Sequence, residues 1–155
     1  MRTLIATDSI GPLSSLQAGE VIASGWLPAA EASVLPIGEA GGGFVTAYAD
    51  LIGVQTSSGV ANDIIVTTGQ GPDTALVQVR GPNRGPGIPY GQSSRLIGDV
   101  IAGLLRTRAP SRILVDLAGL WVHDAGAGLL GALGVTADRA LDRGVTGLDL
   151  SLIHI

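Results

Sequence analysis

Residues 94–106 read SRLIGDVIAGLLR, and residues 112–117 read RILVDL. In the first stretch Leu96, Ile97, Val100, Ile101, Leu104 and Leu105 recur at steps of three and four, the period of a helix with one apolar face. That stripe calls for a sheet to lie on. In the second, an aliphatic run bounded by Arg112 and Asp116 reads as a strand over Ile113–Leu117 of the kind buried inside parallel sheets. A one-faced helix followed by such a strand is the unit from which α/β folds are built.

The same alternation extends outward. Arg2–Ala6 is a short aliphatic strand, and Ser14–Trp26 places Leu16, Val21, Ile22 and Trp26 at helical spacing. Ser14 or Ser15 caps that helix, and Gly25 with Pro28 marks its end. Ala32–Leu35 is a second strand closed by Pro36, and Gly41-Gly42-Gly43 leads into a helix over Phe44–Ile52. The rhythm then changes. Ile64–Thr68 and Thr74–Val79 bracket the turn-rich spacer Gly69–Asp73 and predict an antiparallel pair. Gly81–Gly91 reads as a loop, and Ala127–Leu133 as a further helix after a glycine-rich turn. The expected architecture is α/β, a mostly parallel sheet with flanking helices plus a β-hairpin segment. It divides into a first α/β segment (1–58), a hairpin and loop (59–92) and the start of a second α/β segment (93–149).

Composition narrows the function classes. The chain of 155 residues has no cysteine, which removes disulfides, thiolate zinc sites and cysteine nucleophiles. Its two histidines, His123 and His154, are too few for three-histidine metal sites, so a magnesium ion held by carboxylates and phosphates is the metal chemistry still open. All nine cations are arginine and they are scattered, so no basic stripe exists for nucleic acid. With 46% hydrophobic residues the chain is apolar, yet no run reaches the roughly 18 residues of a membrane span. Its N-terminus lacks a signal-peptide pattern, and the expected location is the cytoplasm.

Three turns can carry chemistry. Asp8-Ser9 follows the first strand, where open α/β sheets place ligand contacts. Gly41-Gly42-Gly43 precedes a helix and can offer N–H groups and a positive dipole end to an anion. The turn around His123-Asp124 precedes another helix, with Asp124 suited to a metal or hydroxyl and His123 to acid–base work. Each has a structural alternative: a local Asx turn, a flexible turn, and a helix cap beside a surface histidine.

Taken together, these turns resemble the ATP-dependent glycerate kinases. That family opens with a strand and A-P-D-S-F-K-G, then S-L-S-A and a helix ending in G-W. Here Ala6-Thr7-Asp8-Ser9-Ile10-Gly11, Leu13-Ser14-Ser15-Leu16 and Gly25-Trp26 fall in register. Its P-x-A-D-G-G-E-G is matched by Pro36–Gly43, its Y-G-T-G-E-L by the stretch that starts at Tyr90-Gly91, and its G-L-G-G-S-A-T-N-D-G-G-A-G-M-L-x-A-L-G by Asp116–Gly134 without a gap. The departures fall on polar and glycine positions. The motif lysine is absent near Gly11-Pro12, Glu39 stands for Asp, Ala40 for Gly, Gly42 for an acidic residue, and Gln78 for the carboxylate of a V-I-E strand. Leu120, Val122 and His123 replace Ser, Thr and Asn.

The resemblance implies part of a two-domain fold whose intact form transfers the γ-phosphoryl group of ATP, with Mg2+, to the 2-hydroxyl of D-glycerate. It implies catalytic roles for Asp8 and Asp124, and substrate or phosphate contacts for Ser9, Glu39, Gly41, Gly43, Gly126 and Gly128; it assigns no metal ligand. Losing one electrostatic donor costs a factor on the order of 10² to 10³ in rate. So many replaced polar groups therefore also fit a second function, a non-catalytic α/β protein that binds an organic acid. The last six residues, LSLIHI (Leu150–Ile155), correspond to the frame CTG TCT CTT ATA CAC ATC, which resembles a sequencing-library adapter. They are read as foreign to a protein that continues past Asp149.

Overall fold

The computed structural model describes residues 2–26, 31–61, 63–81 and 90–148. Pro28, most of the Gly81–Gly91 loop and the Leu150–Ile155 tail lie outside them. The chain forms two compact units, one of Met1–Arg80 with Ser111–Gly119, the other of Gly81–Pro110 with Leu120–Ile155. The expected segments at 58 and 92 follow chain order. The units do not, because the strand after residue 110 returns to the first of them.

In the first unit, β1 (Arg2–Thr7), α1 (Ser15–Gly25) and β2 (Glu31–Pro36) make a parallel crossover in which Arg2 faces Glu31 and Thr7 faces Pro36. The helix begins where the sequence indicates. Ser14 is the N-cap: its Oγ accepts the Gln17 N–H at 3.3 Å, and the Gln17 side-chain carbonyl oxygen accepts the Ser14 N–H at 2.9 Å. This reciprocal box satisfies two N–H groups that a helix start otherwise leaves open. Replacing Ser14 with alanine is expected to cost about 1 kcal/mol in urea unfolding, and an unchanged midpoint would contradict the role of the box.

After α2 (Phe44–Leu51) come β3 (Thr56–Ala61), β4 (Ile64–Gln70) and β5 (Thr74–Arg80), an antiparallel meander. The β4–β5 hairpin stands where the sequence predicts it. β3 is an additional strand: its sequence TSSGVA has no apolar alternation, and it forms through backbone pairing along β4. β6 (Arg112–Asp116) pairs in parallel with β5, giving the order β3-β4-β5-β6. The expectation that β6 lies inside a sheet is corrected by this order. It is the last strand in that order, and Ile113, Leu114 and Val115 are only half buried; β5 is one of the two inner strands and is buried at every position from Ala75 to Val79. The α/β class stands, with two parallel and two antiparallel pairings spread over two sheets. The core gathers Val45 and Ala49 of α2 against Leu76 of β5, with Phe44, Tyr48, Val54 and Leu114 around them.

The second unit contains α3 (Arg95–Thr107), α4 (Ala127–Ala132) and a 3₁₀ turn at Gly144–Gly147. It holds no strand among its described residues, so the stripe of α3, expected to lie on a sheet, is received by α4. Gly98 makes this approach possible: a Cβ there would sit 2.6 Å from the Ala132 Cβ and 2.9 Å from the Leu129 Cα.

Candidate functional site

The first site is built where β1 and β2 end and two helices begin. Ser15, 5% exposed, donates its hydroxyl to the Thr7 carbonyl at 2.6 Å and accepts the Ile37 N–H at 2.8 Å. One side chain thus pins both strand ends to the start of α1. Just beyond, Asp8 is exposed, and its Oδ1 accepts the N–H of the next residue, Ser9, at 2.7 Å. Among the described residues its Oδ2 has no partner.

The opposite wall is the turn into α2. The Glu39 carbonyl accepts the N–H groups of Gly42, Gly43 and Phe44, each at 3.1 Å, so the chain wraps tightly around one oxygen. Gly38 lets it do so, because a Cβ there would lie 2.6 Å from both the carbonyl carbon and oxygen of Gly43. Between the walls is a cleft of about 300 Å³ lined by Asp8, Ser9, Ser14, Gly42, Gly43 and Thr46 among others. No arginine lines it. The N-terminal ends of α1 and α2 border it, where the Ser14 and Gln17 N–H groups are held in the capping box and those of Gly42, Gly43 and Phe44 by the Glu39 carbonyl, so what these ends offer the cleft is chiefly the positive end of each helix dipole.

Glu39 and Gly41 are placed differently from Ser9 and Gly43. Neither lines the cleft. Gly41, at φ +78°, turns its N–H away to Asp116 Oδ2 at 2.7 Å. Asp116 is 3% exposed and also accepts the Gln78 side-chain amide at 2.7 Å on Oδ2 and the Ala118 N–H at 3.1 Å on Oδ1. Gln78 and Asp116 are register partners across β5 and β6. The carboxylate that the resemblance puts at 78 is an amide here, and the adjacent strand supplies one in its place. Sequence reading missed Asp116. Its signal was a single acidic residue closing an aliphatic strand ahead of small residues, Asp116-Leu117-Ala118-Gly119.

Asp124, Gly126 and Gly128 belong to the second unit. Asp124 is 1% exposed. Its Oδ2 accepts the Ser94 N–H at 2.8 Å, the Ser94 hydroxyl at 2.9 Å, the Gly128 N–H at 3.0 Å and a long contact from the Ser93 hydroxyl at 3.4 Å; its Oδ1 accepts the Gly126 N–H at 3.1 Å. Burial pushes this carboxyl up, but the N–H groups of Ser94 and Gly128, the Ser94 hydroxyl and the Gly126 N–H outweigh it and hold it below its ordinary 3.8. Ala125 at φ 50° and Gly126 at φ 80° bend the backbone into a concave nest of N–H groups. The anion in that nest is the chain's own carboxylate. Gly126 and Gly128, which the resemblance aims at substrate or phosphate, give their N–H groups to Asp124. His123 is exposed beside it. Ser94, whose hydroxyl also accepts the Leu129 N–H at 2.9 Å, is the buried partner that the sequence did not single out.

A parallel crossover, a meander joined to a returning parallel strand, and a helical unit nested on one aspartate invite comparison with known structures. A crystal structure of a protein provisionally named glycerate kinase 2 from Salmonella typhimurium LT2 superimposes with a TM-score of 0.72 over 93% of this chain, at 23% identity. The fold is glycerate kinase-like. The chain spans 43% of that protein's length. No family model matches the sequence, and no curated protein does. No helix among the described residues is long and apolar enough to cross a membrane.

Proposed function

We propose that the cleft beside Asp8 binds a small hydroxy acid of the glycerate type, and that the chain is part of an ATP-dependent kinase acting on it. The observation that carries this reading is the meeting of an exposed carboxylate with two helix N-termini around one cleft. The helix ends favour the acid's carboxylate. The open Oδ2 of Asp8 would accept the substrate hydroxyl and hold its oxygen for attack on phosphorus. Among the described residues no three acidic or histidine side chains converge. Magnesium at this cleft would therefore lean on Asp8 and on the nucleotide's phosphates, in keeping with its habit of taking one or two carboxylates plus substrate oxygens. ATP, when bound, supplies the phosphoryl group. With no arginine in the cleft, its charge would be met by the metal and by N–H dipoles.

A second reading, a binding protein without turnover, is favoured by Asp124. A carboxylate with 1% exposure whose oxygens are taken by its own backbone is poorly placed to touch a substrate. One pair of measurements separates the two readings. Isothermal titration of the full chain with D-glycerate, alone and with MgATP, reads binding, and a coupled assay reads ADP. Release of ADP that depends on D-glycerate supports the kinase; binding without release supports the binding protein; absence of both overturns the proposal. Asp8→Asn removes a charged acceptor and is expected to weaken D-glycerate binding about tenfold.

A further inference from the structure

We infer that Asp116 is a positioning residue that sets the wall of the Asp8 cleft by holding the turn into α2, an inference that rests on the cleft being the binding site. The wall is formed by Gly42 and Gly43, which follow Gly41 in the same turn, and two things define its path. From inside, the Glu39 carbonyl gathers three N–H groups. From outside, Asp116 Oδ2 takes the Gly41 N–H at 2.7 Å across 75 positions of sequence. Gly41 adopts φ +78°, where a side chain would be strained, and a Cβ there would come 3.2 Å from the Ala118 Cβ. The glycine is thus pressed against the end of β6 while its N–H is caught by the residue that closes that strand. Asp116 cannot swing away, since Gln78 and the Ala118 N–H occupy it and water is excluded. Two residues further on, Gly43 faces the site: a Cβ there would lie 3.8 Å from Asp8 Oδ1. A displacement at Gly41 therefore moves the cleft wall toward or away from the carboxylate.

A role in tying β5 to β6 would be structural only, and it is separable. Asp116→Asn turns one acceptor oxygen into a donor and leaves either Gly41 or Ala118 without a partner. Adding Gln78→Glu restores the cross-strand hydrogen bond with its direction reversed, the new amide at position 116 donating to the new carboxylate at position 78. It does not restore the acceptor capacity lost to the backbone. Amide exchange by NMR on the full chain without ligand gives the first readout, and titration with D-glycerate the second. Asp116→Asn is expected to speed exchange at Gly41 about tenfold, to shift the Gly42 and Gly43 amides and to weaken D-glycerate binding. The double variant is expected to regain thermal stability while its Gly41–Gly43 amides stay perturbed.

Unchanged Gly41 exchange and unchanged Gly43 shifts in Asp116→Asn would overturn the inference, as would their full recovery along with stability in the double variant. If the wild-type chain does not bind D-glycerate, the functional reading falls, and the ligand-free amides still decide whether Asp116 holds the turn.

Discussion

Replacing Asp124 with alanine is expected to destabilise the helical unit by on the order of 4 kcal/mol. The N–H groups of Ser94, Gly126 and Gly128 and the Ser94 hydroxyl all lose their acceptor where Asp124 is 1% exposed. Each buried donor left open costs about 1–3 kcal/mol, and partial relaxation keeps the sum below the simple total. Asp124→Asn keeps one oxygen and is expected to lose about half as much. Amide exchange across α3 and α4 measures both, and exchange unchanged in the alanine variant would remove Asp124 from its anchoring role.

The same group sets an acid dependence. Its carboxyl titrates below 3.8 in the folded chain, so its contribution is complete above the unfolded value and drains away as pH falls below 3.8 through the folded value. Unfolding free energy should therefore rise with pH in that acid window for the wild type. Asp124→Asn should lack this component of the slope.

Gly38→Ala is expected to cost about 3 kcal/mol and to abolish D-glycerate binding. Its new methyl would lie 2.6 Å from the Gly43 carbonyl carbon and oxygen and 2.9 Å from the Phe44 nitrogen, all backbone atoms that no rotamer change can move aside. Relief requires the start of α2 to retreat, which opens the turn wrapped on the Glu39 carbonyl and shifts the wall that carries Gly43. Urea unfolding and isothermal titration read the two losses separately. A variant that keeps wild-type stability and affinity would show that the turn is not set by this contact.

Much of the site comes from strand ends. Asp8 and Ser9 could be singled out as candidates because they stand directly after an aliphatic strand, and Gly43 because three glycines before a helix mark a close turn; the structure places all three along one cleft. Asp116 could not be, since its role comes from Gln78 and Gly41, 38 and 75 positions away, and nothing local marks such a partnership. Asp124 was visible as a polar residue ahead of a helix, but whether it faced a ligand or its own backbone depended on Ser94, 30 positions earlier. β3 escaped for a related reason: an edge strand can form from TSSGVA when the neighbouring strand supplies the hydrogen bonds, whatever its side chains.

The sequence by itself indicated the alternation of strands and helices, a cap at Ser14 or Ser15 and the hairpin, because periodicity and turn chemistry act over a few residues; that Ser14 is the cap and that β1 pairs in parallel with β2 came from the structure. Only the tertiary structure decided which strand lies at the sheet's edge, that α3 meets α4, and which carboxylates face solvent. Those outcomes depend on which distant groups desolvate one another, and a buried carboxylate takes whatever N–H donors the fold delivers to it.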